Sequence, residues 1–561
     1  MIHRAAGFAS GGLAVNRKSW FVLLLLISAS LAVGQTRDQN WKKCSGDDAQ
    51  SSIEGCTALI QSGQESNANT AIAYANRGND YNKLHQYGKA IPDLTESLRL
   101  NPNNAHALNW RGRSYEHTDQ PDLAIADDDA ALRLDPNLAV AFNDRGIVYD
   151  DKAQYDRAIQ DYNDAIRIKP DLDIAWYNRG LAYSHKKDYA RALPEFERYI
   201  EMAPSDPDGF YKRGSMRRLL GHCDLATPDY DHTLLLDPDY PMAYFDRGMC
   251  RAEKGAYGPA IEDYTSYIRL KPSDADGFNN RGSAYNSTAQ YDRAIEDFSQ
   301  AIRLDPKHAF AHYNRGLAYR HKNQQREAIA DFDTYIGLAP DDWDGYRQKG
   351  GSHDMLEEYD KAIAAYTQGS ERTTQKAVAL ELRCDSYRRK GDYTTAIQDC
   401  SRSLELDSNS YSAQFSRGLA RYLNGQTAEA ASDFRRSFEL RKYDYSLLWL
   451  HLAEQRLGHD DSDEFNRDAA TLNLTDWPGP VVEYFQHKRS FTQLTDAAKN
   501  TDDEKDKGQK CEAYFYMGDD ALTGSQRIMA SAWLLAARQS CPHNFFEYEG
   551  AVVESGRLLQ F

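Results

Sequence analysis

One pattern of 34 residues limits what this chain can fold into more than any other feature it has. In residues 275–308, ADGFNNRGSAYNSTAQYDRAIEDFSQAIRLDPKH, with Ala275 counted as position 1, Gly282 falls at 8, Tyr285 at 11, Tyr291 at 17, Ala294 at 20, Phe298 at 24, Ala301 at 27 and Pro306 at 32. The register recurs eleven times from residue 71 to residue 444 without insertion or deletion. Position 8 is glycine or cysteine each time: Gly78, Gly112, Gly146, Gly180, Gly214, Gly248, Gly282, Gly316, Gly350, Cys384 and Gly418. Only a protein built by stacking one unit on copies of itself keeps such a register.

Residue set and period resemble the tetratricopeptide repeat (TPR). The resemblance implies a hairpin of two helices, A and B, and an all-α, TPR-type helical solenoid: a right-handed superhelix of helix-turn-helix hairpins with a C-terminal capping helix. Small residues at 8, 20 and 27 would let helices A and B approach. Large ones at 17 and 24 would fill the gap to the next hairpin, and proline at 32 would stop helix B.

Comparing repeats with one another adds detail. Position 7 is arginine in ten repeats and Lys349 in the eleventh; position 23 is Asp or Glu in the same ten and Ala365 in the odd one. The two positions face each other across an antiparallel hairpin, so one arginine–carboxylate bridge per repeat is expected, with a structural role. Position 27 is tyrosine at Tyr199, Tyr267 and Tyr335, and position 3 of the following repeat is then glycine: Gly209, Gly277 and Gly345. A large side chain on one helix B is matched by the smallest residue on the next helix A.

The ends differ from the array. Residues 1–34 read as a secretory signal peptide, with Arg4, Arg17 and Lys18 before an apolar run and Ala32-Val33-Gly34 as the cleavage site. Residues 35–70 read as an N-terminal helical cap, 71–444 as the eleven repeats, and 445–510 as a degenerate helical region broken at Trp477-Pro478-Gly479-Pro480. Residues 501–508 read as a charged linker; 511–561 read as a TPR-like hairpin and closing helix. With 67 basic and 84 acidic residues the net charge is −17, and −20 after signal removal. Such a surface repels nucleic acid and acidic membranes, so neither is expected as a partner, nor is stable membrane insertion after cleavage.

Eight cysteines in an exported chain point to a disulfide framework. The hairpin geometry implied by the family selects Cys511 with Cys541, Cys384 with Cys400, Cys223 with Cys250 and, by remainder, Cys44 with Cys56. No C-x-x-C, H-E-x-x-H, G-x-S-x-G or glycine-rich phosphate loop is present. No enzyme activity, cofactor or metal is expected.

The expected site is the face the family presents as concave, lined by positions 2, 5, 6, 9 and 13 of helix A. Position 6 is asparagine at Asn76, Asn178, Asn280 and Asn314, and an amide can bond both donor and acceptor of an extended peptide. This row is similar to the asparagine ladder of O-linked N-acetylglucosamine transferases, interrupted here by Trp110, Lys212, Gln348, Leu382 and Ser416. Aromatic residues at position 5, Tyr177, Tyr211, Phe245 and Tyr313 among them, would supply side-chain pockets. The two-carboxylate clamp of chaperone-binding repeats is absent, because position 5 has no lysine. The chain resembles exported bacterial envelope TPR proteins, which implies a periplasmic or secreted scaffold for a protein or peptide partner. The alternative is a carbohydrate-binding protein or enzyme with its site in 445–510.

Overall fold

The computed structural model describes residues 37–523, 526–543 and 545–558. The expected signal peptide lies outside them. Among the described residues every regular element is a helix. The chain divides into two compact units, one ending at Cys250 and the other beginning at Arg251.

In the first unit a short helical pair, Arg37–Cys44 and Ala49–Ser62, precedes the hairpins. The pair is tied by the Cys44–Cys56 disulfide. Each hairpin then joins a helix A such as Ala139–Asp151 to a helix B such as Tyr155–Ile168. The position 20 alanines, Ala90, Ala124, Ala158, Ala192 and Ala226, are fully buried. Glycine at 8 lets helix B approach: a Cβ on Gly146 would stand 2.7 Å from the Tyr162 ring. Cys223–Cys250 links neighbouring hairpins.

The second unit continues the pattern through hairpins such as Ala275–Ser287 with Tyr291–Leu304 and Tyr411–Leu423 with Thr427–Leu440. At Cys384–Cys400 a disulfide takes the place of the contact between position 8 glycine and position 24 aromatic. Irregular packing begins after Asp444–Arg456, with the short helices Ser462–Ala469, Gly479–Phe485 and Phe491–Ala497. The linker expected over 501–508 is largely helical instead, inside Asp503–Thr523. Asp502 accepts from the backbone N–H groups of Glu504 and Lys505, and Asp503, Glu504 and Asp506 place negative charge at the helix N-terminus. Charges that read as a solvated linker therefore start a helix. Cys511–Cys541 ties it to Arg527–Ser540. Phe546–Leu558 closes the described chain.

The arginine–carboxylate bridges form at 2.6–2.7 Å, from Arg77–Asp93 in the first unit to Arg417–Asp433 in the second. They are more buried than a surface pair, with both side chains of Arg383–Asp399 under 20% exposed. Nη1 of the same arginine also reaches position 25 of the preceding helix B, as in Arg281 to Thr265 at 3.2 Å and Arg145 to Asp129 at 2.6 Å. One guanidinium thus holds three helices in register. The tyrosine–glycine match is equally direct: a Cβ on Gly209, Gly277 or Gly345 would lie 2.8–2.9 Å from the tyrosine of the preceding helix B. Each of these tyrosines donates its hydroxyl to the aspartate capping the next helix A: Asp206, Asp274 and Asp342.

Candidate functional site

Positions 5 and 6 of helix A form a polar row with a 35-residue step. In the first unit Asn178 Nδ2 donates to Asn143 Oδ1 at 3.0 Å, Asn109 Nδ2 to Asp144 Oδ2 at 3.0 Å and Tyr211 Oη to Asp246 Oδ2 at 3.1 Å. In the second, Asn314 Nδ2 donates to Asn279 Oδ1 at 3.1 Å and Gln348 Nε2 to Tyr313 Oη at 3.3 Å. Asn280 Oδ1 accepts from Asn279, and Asn76 donates to the Cys44 carbonyl. Of the position 6 asparagines, Asn178 and Asn314 therefore already join neighbouring repeats. Asn178, only 9% exposed, is the most enclosed of them.

The position 5 aromatics are half-buried and turned into the joint between hairpins. Tyr177 packs on Phe196 and Tyr199, Tyr211 on Tyr240, and Tyr313 on Phe332 and Tyr335. Phe245 is half-buried on Pro241–Glu253. The histidines at position 13 stack on position 17 tyrosines, His117 on Tyr87 and His321 on Tyr291.

Position 12 is a row the sequence reading passed over, though its recurring charges were visible. In the first unit, Glu116 is pushed up to about 7 by burial, then by Asp144 and Asp151. Nearby Asp128 is held well above the usual carboxylate range, chiefly by burial and then by Asp144. Arg218 faces Asp246 at 3.4 Å.

In the second unit the face formed by the first helices carries a helix of the chain itself. Phe546 of the closing helix meets Phe415, at position 5, edge-on at 5.3 Å. Arg388, at position 12 and 1% exposed, lies over the Phe546 ring at 5.5 Å and pairs with Glu549. Arg557 Nη2 donates to the Leu423 carbonyl at 3.1 Å. Glu554 sits between Arg456 and Arg557, at 2.8 and 2.7 Å.

Buried acids line the other side of that helix. Tyr516 Oη donates to Glu547 Oε1 at 3.0 Å; Tyr445 Oη and Trp477 Nε1 donate to Glu512 Oε2 at 2.9 and 2.8 Å. Burial pushes Glu547 up to about 7, and burial followed by the charge of Glu547 raises Glu512 well above the carboxylate range. Among the described residues no group of three or more His, Cys, Asp or Glu is placed to hold a metal.

The tetratricopeptide-repeat family model matches residues 76–139, 143–207, 212–275 and 382–444. Two further TPR models match 284–323 and 311–342. The chain is 28% identical over 171 residues to the Lipoprotein NlpI homolog of Haemophilus influenzae, covering 30% of this chain and 54% of that one. It thus spans about half the length of that curated relative. Among solved structures, YrrB, a TPR protein with an unusual peptide-binding site, is 25% identical over 33% of this chain and 95% of its own, with a TM-score of 0.30. MamA from residue 41 onward, of Desulfovibrio magneticus RS-1, is 23% identical over 30% and 95%, with a TM-score of 0.29.

Proposed function

The chain belongs to the tetratricopeptide-repeat family, and from that premise we propose that it is an exported scaffold binding proteins or extended peptides on its first-helix face, in envelope assembly or turnover. The observation that carries the proposal is the closing helix Phe546–Leu558, seated on positions 5 and 12 of the last repeats through Phe415 and Arg388. A face that takes a helix of its own chain has the shape and chemistry to take a segment of another. Export is supported by the use of all eight cysteines in four disulfides, which persist in oxidising compartments. It is in keeping with a relative named as a lipoprotein. Among the described residues no helix is long and apolar enough to cross a membrane.

The test is crosslinking capture from the envelope fraction with residues 35–561, beside a variant with Asn178, Asn280 and Asn314 changed to Ala. Because Asn178 and Asn314 also bond neighbouring repeats, the variant's helix content is checked by circular dichroism. A defined protein captured by the wild type and lost by a folded variant supports the reading. Capture that survives overturns the assignment to this face.

One observation favours the alternative, a carbohydrate-binding protein or enzyme using the 445–510 region. The raised carboxyl of Glu512, just past that region, accepts from Trp477 and Tyr445 within it, and a carboxylic acid of raised pKa is what glycoside hydrolysis uses as its general acid. A glycan array bound by the wild type and not by Glu512→Gln would move the function there.

A further inference from the structure

We infer that Arg320 is a receptor for the glutamate carboxylate of a helical peptide laid across Ala309–His321 and Trp343–Met355, the contact this chain makes with itself at Arg388. The inference rests on the scaffold reading above and names the chemistry of its ligand.

Three repeats carry arginine at position 12: Arg218, Arg320 and Arg388. What each one faces is set by position 6 of the next repeat. Opposite Arg218 that residue is Asp246, which supplies the counter-charge from within the array at 3.4 Å. Opposite Arg388 it is Ser416, and the carboxylates come from Asp385 on its own helix, at 3.2 Å, and from Glu549 of the docked closing helix. Opposite Arg320 it is Gln348, a neutral amide whose Oε1 accepts from the guanidinium. Among the described residues no carboxylate lies within ion-pair distance of Arg320. Burial pulls this guanidinium below its ordinary value, and the charge of Arg347 adds to that. A half-buried cation without a counter-charge is costly, and in a chain of net charge −17 it is an exception.

The approach to it is open. Position 9 of the following repeat is Gly351, whereas the repeats after Arg218 and Arg388 carry Met249 and Leu419 at that position. Even a Cβ there would lie 3.7 Å from Arg320 Nη2 and 3.8 Å from Tyr366 Oη, at ordinary contact distance. On the same two helices Phe310 is 62% and Met355 49% exposed, giving an apolar footing on either side. The docked example supplies the ligand's pattern. Phe546 lies over the Arg388 guanidinium and Glu549, one helical turn on, reaches it.

The test uses residues 35–561 and a fluorescent, C-terminally amidated peptide of residues 545–558, so that only side chains offer carboxylates; binding is read by anisotropy. The wild-type chain is expected to bind it, and the peptide with Glu549→Gln to bind about tenfold or more weakly, as loss of a charged hydrogen bond requires. Gln348→Asp, which gives Arg320 the partner that Arg218 has, is expected to close the site with the fold intact and weaken binding about as much. Arg320→Glu is expected to reverse the preference toward the peptide with Glu549→Lys. No binding by the wild type, or affinity unchanged by Gln348→Asp and by Glu549→Gln, overturns the proposal. So does tight binding of the free-acid peptide alone, which would assign the carboxylate to a chain terminus. Capture lost in the asparagine variant but unaltered by Gln348→Asp would leave the scaffold reading standing and this one refuted.

Discussion

Two stretches of the second unit use the same helix positions and end differently. Across Ala309–His321 and Trp343–Met355 the first-helix face is exposed at Phe310 and Met355, and its position 12 arginine has only an amide to bond. Across Lys376–Lys390 and Tyr411–Leu423 the equivalent arginine is buried under the closing helix and paired with Glu549. The two differ in occupancy, and in Asp385, which pairs with Arg388 at 3.2 Å from one turn earlier on its helix where the helix of Arg320 carries Leu317. What the covered stretch receives from its own chain, the open one would have to receive from a partner.

The sharpest way to break the contrast is to turn the covered face into an open one. Arg388→Met leaves Glu549 buried without a counter-charge, which costs about 3–5 kcal/mol for a pair so enclosed. Hydrogen exchange over 546–558 is expected to rise to that of a surface helix while the helices of 275–304 stay protected. The same helix should loosen with rising pH. The Glu547 carboxyl sits at about 7 in the folded chain, above its ordinary value, so its contribution is fully present below about pH 4.5 and is lost as pH climbs through about 7. A lower protection factor for 546–558 at pH 8 than at pH 5.5, after correction for the intrinsic exchange rate at each pH, and a smaller difference in Glu547→Gln check the sign.

Next in size is the staple beneath the covered face. Replacing Cys384 and Cys400 with Ala opens a 16-residue loop closure and is expected to remove about 3 kcal/mol. Guanidinium unfolding followed by local exchange should place that loss in 376–406. In the array ahead of the open stretch, Gly277→Leu must push against the Tyr267 ring and Ile268, at an expected cost of about 1–3 kcal/mol. The paired control is Gly258→Ala, which meets nothing within 4 Å and should lower the unfolding midpoint far less. The smallest effect belongs to the turns. Ala289 holds a φ of 57° where Gly391 holds 87° at the same repeat position. Ala289→Gly relieves left-handed strain but adds freedom to the unfolded chain, for a net gain of about 0.5 kcal/mol. Thermal melts of the two chains would register it.

What could be read in the sequence was whatever the period aligned. Arg281 with Asp297 and Tyr267 with Gly277 recur at fixed offsets, so comparing repeats exposed them without coordinates. The third bond of the same arginine, to Thr265, follows the period too, but position 25 varies among Thr, Ser, Asn, Asp, Glu and Arg and carries no single signature. The asparagine row was visible as composition; that Asn178 and Asn314 bond the neighbouring repeat was not, since an amide serves a ligand or a neighbour equally well. The seat of the closing helix was hidden altogether. Arg388 and Glu549 are 161 residues apart and meet once, so no internal comparison could align them.

The most direct measurement of the account is hydrogen–deuterium exchange on residues 35–561 with and without the protein that crosslinking captures. Binding on the first-helix face predicts new protection in Ala309–His321 and Trp343–Met355, with the second helices Gln325–Leu338 and Tyr359–Ser370 unchanged. Protection confined to the second helices, or to 445–510, would contradict it.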